Sequence, residues 1–377
     1  MTPQGLEPQL QAEVEEALER AMAFARERDY AGTDPYDGLL SPYARVLRGR
    51  VPRQAWVQGH KRLGRGLRAA TRVPPVRMTK GMALFSTAAS LSGDEQTARQ
   101  LAQRILQERG TGPWGYEFDV QTRWAFYPAG SPNVIAVTFA LRALSAAGML
   151  DRVSADVRDW LEGQFHTSGY FRYTTTSDRL VHNGSLLAAE SLAMLDGDRE
   201  LIRTAVDRAV RAQAEDGSWP YGEGPGLEWI DSFHTIYNLD SLWALQQMGF
   251  ESGDSAARGA QFWKDRCLSP EGLPLYMADD RQVSTDVHNV ATTVGYLARA
   301  AQRGWPVPDP EAAIRHLLGL QGGDGGFRSG GRGLPHMRWN QGHAAVALAS
   351  WASSGRRADW DSGGRTDDGS DAASDRA

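Results

Sequence analysis

The sequence predicts an all-α protein with the (α/α)6 toroid fold, in which six helical hairpins close into a barrel. Three observations support this prediction. Turns rich in glycine and aromatic residues recur about every fifty residues along most of the chain. A helical pattern with one polar face precedes most of these turns, and a more apolar helical pattern follows them.

The turns are short segments that combine Gly with Tyr, Trp or Phe. Their sequences are DPYDGLLS (34–41), GPWGYEFD (112–119), SGYFRYT (168–174), DGSWPYG (216–222), EGLPLYM (271–277) and DGGFRSG (324–330). The gap after the first turn is wider than the others. Similarity at a fixed period is the signature of a repeat architecture, so we expect each turn to mark one hairpin.

The helices before and after the turns differ in character. Those before the turns end in or near glutamine, as in ARQLAQRILQERG and RTAVDRAVRAQAEDG. Those after the turns, such as NVIAVTFALRALSAAGML and VHNVATTVGYLARAAQRG, are rich in Ala, Ser, Gly and Thr. Small residues let neighbouring helices approach closely, so we expect the apolar helices inside and the polar-faced helices outside. Each hairpin is predicted to be a polar-faced helix, its turn and the apolar helix that follows.

Length and composition indicate one domain over residues 1–353, because 41% hydrophobic residues and 12 Trp suffice for a large core. Residues 354–377 are small, polar and poor in apolar side chains, so we expect a disordered tail there. The single Cys267 excludes an intramolecular disulfide framework and a thiolate zinc cluster, and we predict no metal and no cofactor. The N-terminal stretch does not have the pattern of a signal peptide, and no apolar run approaches the length of a membrane span. We therefore expect a soluble cytoplasmic protein.

Charge is unevenly distributed, although the formal net charge of -5 gives no reason to expect a nucleic-acid partner. Every charged residue between 45 and 80 is Lys or Arg. One interpretation of this basic segment is a solvated helix and loop. The other is a docking face for anionic lipid headgroups or for a pyrophosphate-linked substrate, which would give peripheral membrane contact.

Two sets of motifs resemble known families. QAEDGSW (213–219) resembles the Gln-x-x-x-Gly-x-Trp repeat of squalene–hopene cyclases and related prenyltransferases, and QGGDGGF (321–327) is similar to it. The phrases WGYEFDVQTR, SPNVIAVTFALRAL, HNGSLLAAE, WIDSFHTIYNLDSL and STDVHNVATT resemble (α/α)6 proteins associated with polysaccharide biosynthesis. This second resemblance covers roughly Tyr30 to Trp351. Some of its members carry the label δ-aminolevulinate dehydratase, which the few lysines and single cysteine of this chain contradict.

In a toroid, residues at the N-terminal ends of the inner helices converge on one end of a central cavity. Five acidic or histidine side chains near these ends are the candidate catalytic residues: Asp119, Asp231, His234, Asp286 and His288. The candidate substrate-binding residues are Asp37, Trp114, Tyr116, Arg123, Asn133, Tyr170, His182, Asn183, Trp229, Tyr237, Trp339, Gln341 and His343.

Some of the candidate catalytic and substrate-binding residues also have a structural explanation. Asp and Asn are also preferred helix N-caps, so capping is an alternative role for Asp231, Asp286, Asn133 and Asn183. Capping does not explain the histidines, which are suited to proton transfer near neutral pH. Several aromatic residues, Trp219 above all, are expected to seal the hairpins, whereas Tyr116, Tyr170 and Trp229 are predicted to contact a ligand.

The first functional hypothesis is an enzyme that acts on a carbohydrate, a sugar nucleotide or a lipid-linked sugar in polysaccharide or glycoconjugate biosynthesis. A glycosidase would use two carboxylates, for which Asp119, Asp231 and Asp286 are candidates. An epimerase or lyase would remove a proton beside a carboxylate, for which His234, His288, Tyr237 and Arg123 are suited. The sequence favours modification without hydrolysis, because a biosynthetic setting disfavours degradation.

Two alternatives belong to other classes. A terpene cyclase or prenyltransferase is suggested by the Gln-to-Trp turns, but the chain has no Asp-x-Asp-Asp cluster in a core segment, and its single Cys267 stands in a predicted turn. A non-catalytic glycan-binding scaffold would keep the aromatic cavity while its carboxylates only cap helices.

Overall fold

The computed structural model describes residues 7–110, 112–123, 125–153, 155–305 and 307–363, with side chains described to residue 353. Helices dominate this part of the chain, which confirms the prediction of a mostly helical protein. Their bounds are α1 Pro8–Arg26, α2 Arg50–Ala70, α3 Thr79–Leu91, α4 Glu95–Gln107, α5 Val134–Ala146, α6 Ala155–Gly163, α7 His182–Met194, α8 Arg199–Ala212, α9 Ser232–Gln247, α10 Ser255–Arg266, α11 Val287–Gln302, α12 Glu311–Leu318 and α13 His343–Gly363.

The strands are two residues long and form antiparallel pairs within the connections. They are β1 Ala31–Gly32 with β2 Val76–Arg77, β3 Val120–Gln121 with β4 Phe126–Tyr127, and β5 Phe165–His166 with β6 Tyr170–Phe171. Short 3-10 turns occur at Asp37–Leu40, Pro42–Val46, Leu150–Arg152 and Ser329–Gly331, and a π-helical turn at Met337–Gly342 leads into α13.

Six helices form an inner set, as their burial shows. In α7, every residue from His182 to Leu192 is buried, whereas α8 buries a single stripe at three- and four-residue spacing. Contacts between the inner helices run in cyclic order: α3 with α5, α5 with α7, α7 with α9, α9 with α11, α11 with α13, and α13 with α3. The small residues of these helices permit this close approach.

The pairing of helices differs from the prediction. Each polar-faced helix was expected to pair with the apolar helix after its Gly/aromatic turn. Instead, each outer helix packs mainly on the inner helix before it, α4 on α3, α8 on α7, α10 on α9, and α12 on α11, through short links at the opposite ends. The Gly/aromatic turns lie in the longer connections that lead into the N-terminal end of each inner helix. Short links favour antiparallel neighbours, which explains the observed pairing.

The residues of the Gln-to-Trp motif join neighbouring segments through hydrogen bonds, and Trp219 makes the sealing contact that the sequence predicts for it. The indole Nε1 of Trp219 donates to the carbonyl oxygen of Ala209 at 2.9 Å. The amide of Gln213 donates to the carbonyl oxygens of Gly217 and Ser255, both at 2.9 Å, and so ties the end of α8 to the start of α10. These bonds hold the long connections over one end of the inner helices.

The last helix extends to Gly363, past the predicted domain boundary at residue 353. The rest of the predicted tail, 364–377, lies outside the described residues. No helix in the described ranges has both the length and the apolar character needed to cross a membrane.

Candidate functional site

A cavity of about 580 Å³ lies at the N-terminal ends of the inner helices. All six long connections contribute to its wall, because each one leads to the same end of the inner set. The connections supply Tyr36, Gln54, Gln58, Lys61, Tyr116, Val120, Gln121, Thr122, Arg123, Tyr127, Tyr173, Tyr221, Trp229, Asp231, Tyr276, Met277, Arg338 and Trp339. The first two turns of the inner helices supply Lys80, Ile135, Asn183, Phe233, His234, Tyr237 and His288.

The cavity brings together nine of the residues that the sequence nominated from separate hairpins. They are Tyr116, Arg123, Asn183, Trp229, Asp231, His234, Tyr237, His288 and Trp339. The exposed Lys61 and Arg123 lie where this cavity meets the surface. The wall therefore combines aromatic faces with groups that can hydrogen-bond, carry charge or transfer protons.

Asp231 orients His234 at the start of α9. One carboxylate oxygen, Oδ1, accepts the backbone N–H of His234 at 2.9 Å and so caps the helix. The other, Oδ2, accepts the indole N–H of Trp229 at 3.0 Å and lies 2.6 Å from Nδ1 of His234. Within the described part of the chain, Nε2 of His234 has no hydrogen-bond partner. The Asp231 carboxylate therefore both caps α9 and orients the His234 ring. Nε2 of His234 remains available to a ligand.

A second pair joins α9 to α11. The phenol oxygen of Tyr237 lies 2.8 Å from Nε2 of His288. Burial lowers the pKa of His288 well below its usual value, and the nearby Lys80 acts in the same direction. Burial also raises the pKa of the Tyr237 phenol. At neutral pH the pair is therefore a neutral imidazole beside a protonated phenol.

Lys80 is a buried amine in the wall, only 4% exposed. Its ammonium nitrogen lies 4.1 Å from the ring centre of Phe139 and 5.6 Å from that of Tyr237. No carboxylate among the described residues forms an ion pair with it. Burial, assisted by Arg338, lowers the pKa of Lys80 well below its usual value. An acidic ligand beside Lys80 would favour its protonated form.

Arg338 also faces the cavity and is held by a buried carboxylate. Its guanidinium donates two hydrogen bonds to Asp34, at 2.7 and 2.8 Å. Burial opposes ionisation of Asp34, but the Arg338 charge outweighs it and lowers the pKa of that carboxyl. Because Arg338 is matched by Asp34, the uncompensated charge in the cavity comes from Lys61 and Arg123 against Asp231, and Lys80 adds to it when an acidic ligand favours its protonated form. The cavity therefore favours an anionic ligand.

Asp286 occupies a different position from Asp231. Its Oδ1 accepts the backbone N–H groups of His288 and Asn289 at 2.9 and 3.3 Å, which makes it the N-cap of α11. The indole N–H of Trp339 lies 3.2 and 3.3 Å from its two oxygens. Burial raises the pKa of Asp286. Asp286 therefore supports Trp339 and α11 from outside the cavity wall.

His343 lies behind the wall. Its ring centre is 4.1 Å from that of His288, and burial lowers its pKa well below the usual value. It lines a second cavity, of about 360 Å³, and Tyr237 lines both cavities. His343 is thus a buried neighbour of the Tyr237–His288 pair.

Other nominated residues lie outside the main cavity because structural contacts hold them. Asp37 pairs with the buried Arg68, and burial raises the pKa of Asp37 to about 6. Asn133 caps α5 by accepting the backbone N–H of Ala136 at 3.0 Å. Trp114 donates to the carbonyl oxygen of Ile105 at 2.9 Å, the same sealing contact that Trp219 makes.

The remaining four nominated residues are held in the connections or in α7. Tyr170 donates its hydroxyl to the carbonyl of Asp178. Gln341 is hydrogen-bonded to both backbone groups of Phe327, at 2.8 and 2.7 Å. Asp119 accepts the backbone N–H of Ala129 at 2.8 Å, and no ion pair between Asp119 and Arg123 is formed. His182 is buried in the first turn of α7.

Several wall residues were not nominated from the sequence. Lys80 appeared only as the end of the basic segment, and its apolar surroundings, which the linear sequence does not reveal, set it apart. Tyr173, Tyr221 and Tyr276 belong to the recurring Gly/aromatic turns, whose aromatic faces the sequence predicts beside the polar groups, and all three line the cavity. Arg338 directly precedes the nominated Trp339, but its burial with Asp34 depends on contact between distant parts of the chain.

The described side chains contain no group of three or more His, Cys, Asp or Glu arranged to hold a metal ion. Proton transfer between neighbouring side chains, aromatic stacking and binding of an anion are the chemistry that the wall offers.

No protein-family model matches the chain, and no curated protein does either. Solved structures resemble its fold. The ligand-free type II terpene cyclase MstE from Scytonema is 17% identical, with a TM-score of 0.50 over 92% of this chain and 99% of that chain. A single-residue variant of this cyclase, in complex with the substrate geranylgeranyl dihydroxybenzoate, is 16% identical, with a TM-score of 0.52 over 93% and 99%.

A polysaccharide lyase, BACCELL_00875, is 12% identical, with a TM-score of 0.50 over 75% of this chain and 91% of that chain. A protein from Actinoplanes is 15% identical, with a TM-score of 0.51 over 90% and 99%. These likenesses are consistent with the toroid-like helical fold that the sequence motifs indicated. At such low identity they show the fold alone.

Proposed function

We propose that this protein binds an acidic saccharide in the central cavity of a closed (α/α)6 toroid and transfers a proton at the carbon beside the sugar carboxylate. The reaction type is that of an epimerase or a lyase. The observation that carries the proposal is the Tyr237–His288 hydrogen bond, 2.8 Å long, beside the unpaired Lys80. A place in polysaccharide biosynthesis and a cytoplasmic location extend the proposal and rest on the sequence alone.

Tyr237 and His288 form a relay for removing the proton. The phenol oxygen takes the proton from the sugar carbon as its own proton passes to Nε2 of His288. Burial keeps His288 neutral, so its Nε2 has a lone pair that can accept this proton, although the same burial makes the imidazole a weaker base. The hydrogen bond already has the length needed for such a transfer.

Lys80 is placed to stabilise the charge that develops on the carboxylate. Removing the proton pushes negative charge onto the carboxylate oxygens, and a nearby cation stabilises that charge strongly where water is excluded. Lys80 lies beside Tyr237 and has no competing carboxylate among the described residues.

His234 provides the second proton-transfer group. Its ring centre lies 6.3 Å from that of Tyr237, and Asp231 fixes its orientation through Nδ1. Nε2 of His234 can return a proton to the opposite face of the carbon, as in epimerisation, or protonate a leaving oxygen, as in elimination. Two proton-transfer groups at separate positions suit both outcomes.

A glycosidase is a weaker interpretation. Hydrolysis needs two carboxyl groups on either side of the glycosidic bond. Among the described residues that line the cavity, Asp231 alone carries a carboxylate. Asp119 and Asp286, the other candidates, are held by backbone and indole N–H groups outside the wall.

A terpene cyclase is the second candidate, favoured by one observation. Asp231 stands in a wall rich in aromatic rings, including Trp229 and Phe233, which would suit an acid that protonates an alkene and rings that stabilise a carbocation. The uncompensated cations of the cavity argue against this candidate, because they disfavour a developing positive charge.

The experiment incubates the purified protein with acidic oligosaccharides in deuterated water and follows deuterium incorporation beside the carboxylate by NMR. Ultraviolet absorbance detects any unsaturated uronate formed by elimination. We expect incorporation or elimination with at least one acidic saccharide, and a loss of about a hundredfold or more in Tyr237→Phe and in His288→Gln. Tyr296→Phe is the matched control, since Tyr296 is also buried but does not line the cavity.

Other outcomes would overturn the proposal. Binding of saccharides without exchange or elimination would indicate a glycan-binding scaffold. Turnover of polyprenyl substrates, with no response to acidic saccharides, would indicate a terpene cyclase. Equal losses in Tyr296→Phe and Tyr237→Phe would remove the role assigned to the Tyr237–His288 pair.

A further inference from the structure

We propose that the surface formed by residues 42–65 docks on a bilayer that contains anionic lipids. We call it the basic docking surface, and it comprises the 3-10 turn Pro42–Val46, the loop that follows and most of α2. Its first notable feature is exposed apolar area. The large hydrophobic side chains that are exposed within the described ranges are Tyr43, Val46, Val51 and Leu63, which are 49%, 79%, 76% and 69% exposed.

These four side chains all lie between residues 43 and 63, so the exposed apolar area is concentrated in one segment of the chain. Single exposed apolar residues are common on protein surfaces, but a concentration of them marks an interaction site. Helix α2 buries little of itself, with only Val57, His60 and Arg68 buried along its length. Its outward residues therefore remain free to contact a partner.

The second feature is unneutralised positive charge. Arg45, Arg48, Arg50, Lys61, Arg62 and Arg65 are exposed, and none forms an ion pair with a described carboxylate. In contrast, Arg68 is buried against Asp37, and Arg77, beyond the surface, pairs with Asp29 and Glu108. The absence of acidic residues from this stretch leaves its charge available to an anionic partner.

Exposed apolar side chains among exposed cations match the chemistry of an anionic bilayer. Valine, leucine and tyrosine side chains enter the boundary between headgroups and acyl chains, while arginines pair with lipid phosphates. A nucleic acid would use the arginines but not the exposed valines and leucine. The combination therefore points to a lipid surface.

The basic docking surface adjoins the cavity. Gln54, Gln58 and Lys61 of α2 line the main cavity. Val51, Ala55 and Arg62 line a shallow recess that shares Gln54, Gln58 and Arg123 with it. A bilayer bound here would lie beside the opening of the cavity, where a lipid-linked saccharide would present its sugar. This choice of substrate rests on the proposed function, whereas docking on the bilayer does not.

Docking is tested by cosedimentation of the full chain with vesicles of phosphatidylcholine alone and of phosphatidylcholine with phosphatidylglycerol. We expect binding to the anionic vesicles, weakened by salt, and at least about tenfold less binding to the neutral ones. Arg48→Gln with Arg62→Gln is expected to weaken binding at least about tenfold, because each arginine near an anionic surface contributes to attraction. The double substitution Val51→Ser with Leu63→Ser is also expected to weaken binding to the anionic vesicles.

The control pair is Arg152→Gln with Arg203→Gln, which removes the same charge from exposed positions elsewhere. Thermal unfolding checks that every variant is folded. Equal binding to both vesicle types, or equal loss in the control pair, would overturn the proposal. Unchanged binding in the Val51 and Leu63 variant would show attraction by charge alone and would also overturn it. Since no saccharide is present, failure here leaves the proposed enzymatic function untouched.

Discussion

Glu190 of α7 accepts two hydrogen bonds, each 2.6 Å long, from the guanidinium of Arg142 on α5. The hydroxyl of Ser241 on α9 donates to the same carboxylate at 2.7 Å. One buried carboxylate thus links three neighbouring inner helices. It lies on the second cavity, away from the proposed reaction centre, so its contribution to stability can be measured separately from activity.

Replacing Glu190 with Gln is expected to reduce the free energy of unfolding by about 2–4 kcal/mol. The substitution leaves the Arg142 guanidinium without its counter-charge, although its side chain is 26% exposed and water offsets part of the loss. Glu200→Gln is the matched control, because it breaks the exposed Arg203–Glu200 pair, which contributes at most about 1 kcal/mol. Urea unfolding measures both variants, and equal effects would contradict a structural role for the buried pair.

The two capping aspartates are expected to respond differently to replacement by Asn. Asn is as good an N-cap as Asp, so Asp231→Asn and Asp286→Asn should each change the free energy of unfolding by less than about 1 kcal/mol. Only Asp231→Asn removes the carboxylate that orients His234, and we expect it to lower deuterium exchange at least about a hundredfold. Asp286→Asn should retain most activity. An equal loss in both variants would place Asp286 in the reaction and contradict this assignment.

The helical class could be predicted because turn chemistry and apolar periodicity are local properties. The Gly/aromatic turns and the three- and four-residue spacing identified the inner helices α5, α7, α9 and α11 from short stretches of sequence. The pairing of helices could not be predicted, because it depends on which connections are short enough to bring neighbours together. The sequence placed the Gly/aromatic turns within hairpins, whereas they lie in the longer connections.

The site was predicted in part, for a related reason. Asp231, His234 and His288 were found because polar residues at the start of an apolar helix stand out. Lys80 was missed because its importance comes from burial beside Phe139 and Tyr237, which lie far along the chain. Trp114 was assigned to a ligand, although it makes the same backbone contact as Trp219, because sequence does not distinguish a sealing indole from a lining one.

Gly259 of α10 is expected to be intolerant of a side chain. A Cβ atom there would lie 2.5 Å from the Trp219 ring and 2.9 Å from Leu239. Gly259→Ala should therefore reduce the free energy of unfolding by about 1–3 kcal/mol, as overpacking in a core does. Gly66→Ala is the control, because a Cβ atom there has open space and alanine favours the helix. Thermal unfolding measures both, and a Gly259→Ala protein as stable as the control would contradict the close packing of Trp219.

His182 is expected to make stability depend on pH in mildly acidic solution. Its side chain is 1% exposed, and neither ring nitrogen has a hydrogen-bond partner in the described part of the chain. Burial lowers the pKa of His182 from 6.5 to about 4. Between these values the unfolded chain binds a proton that the folded protein does not, so stability falls as the pH decreases through this window. The full contribution is about 3 kcal/mol, present above pH 6.5 and lost by about pH 4.

Urea unfolding of the wild type and of His182→Gln across this pH range tests the prediction. The variant cannot take up the proton, so the difference in stability between the two proteins should change as the pH falls, in favour of the variant. His288, His336 and His343 have pKa values lowered by burial in the same sense, so the variant should keep part of the pH dependence. Parallel stability curves for the two proteins would contradict a neutral, buried His182, because only a protonation difference between folded and unfolded states makes the curves diverge.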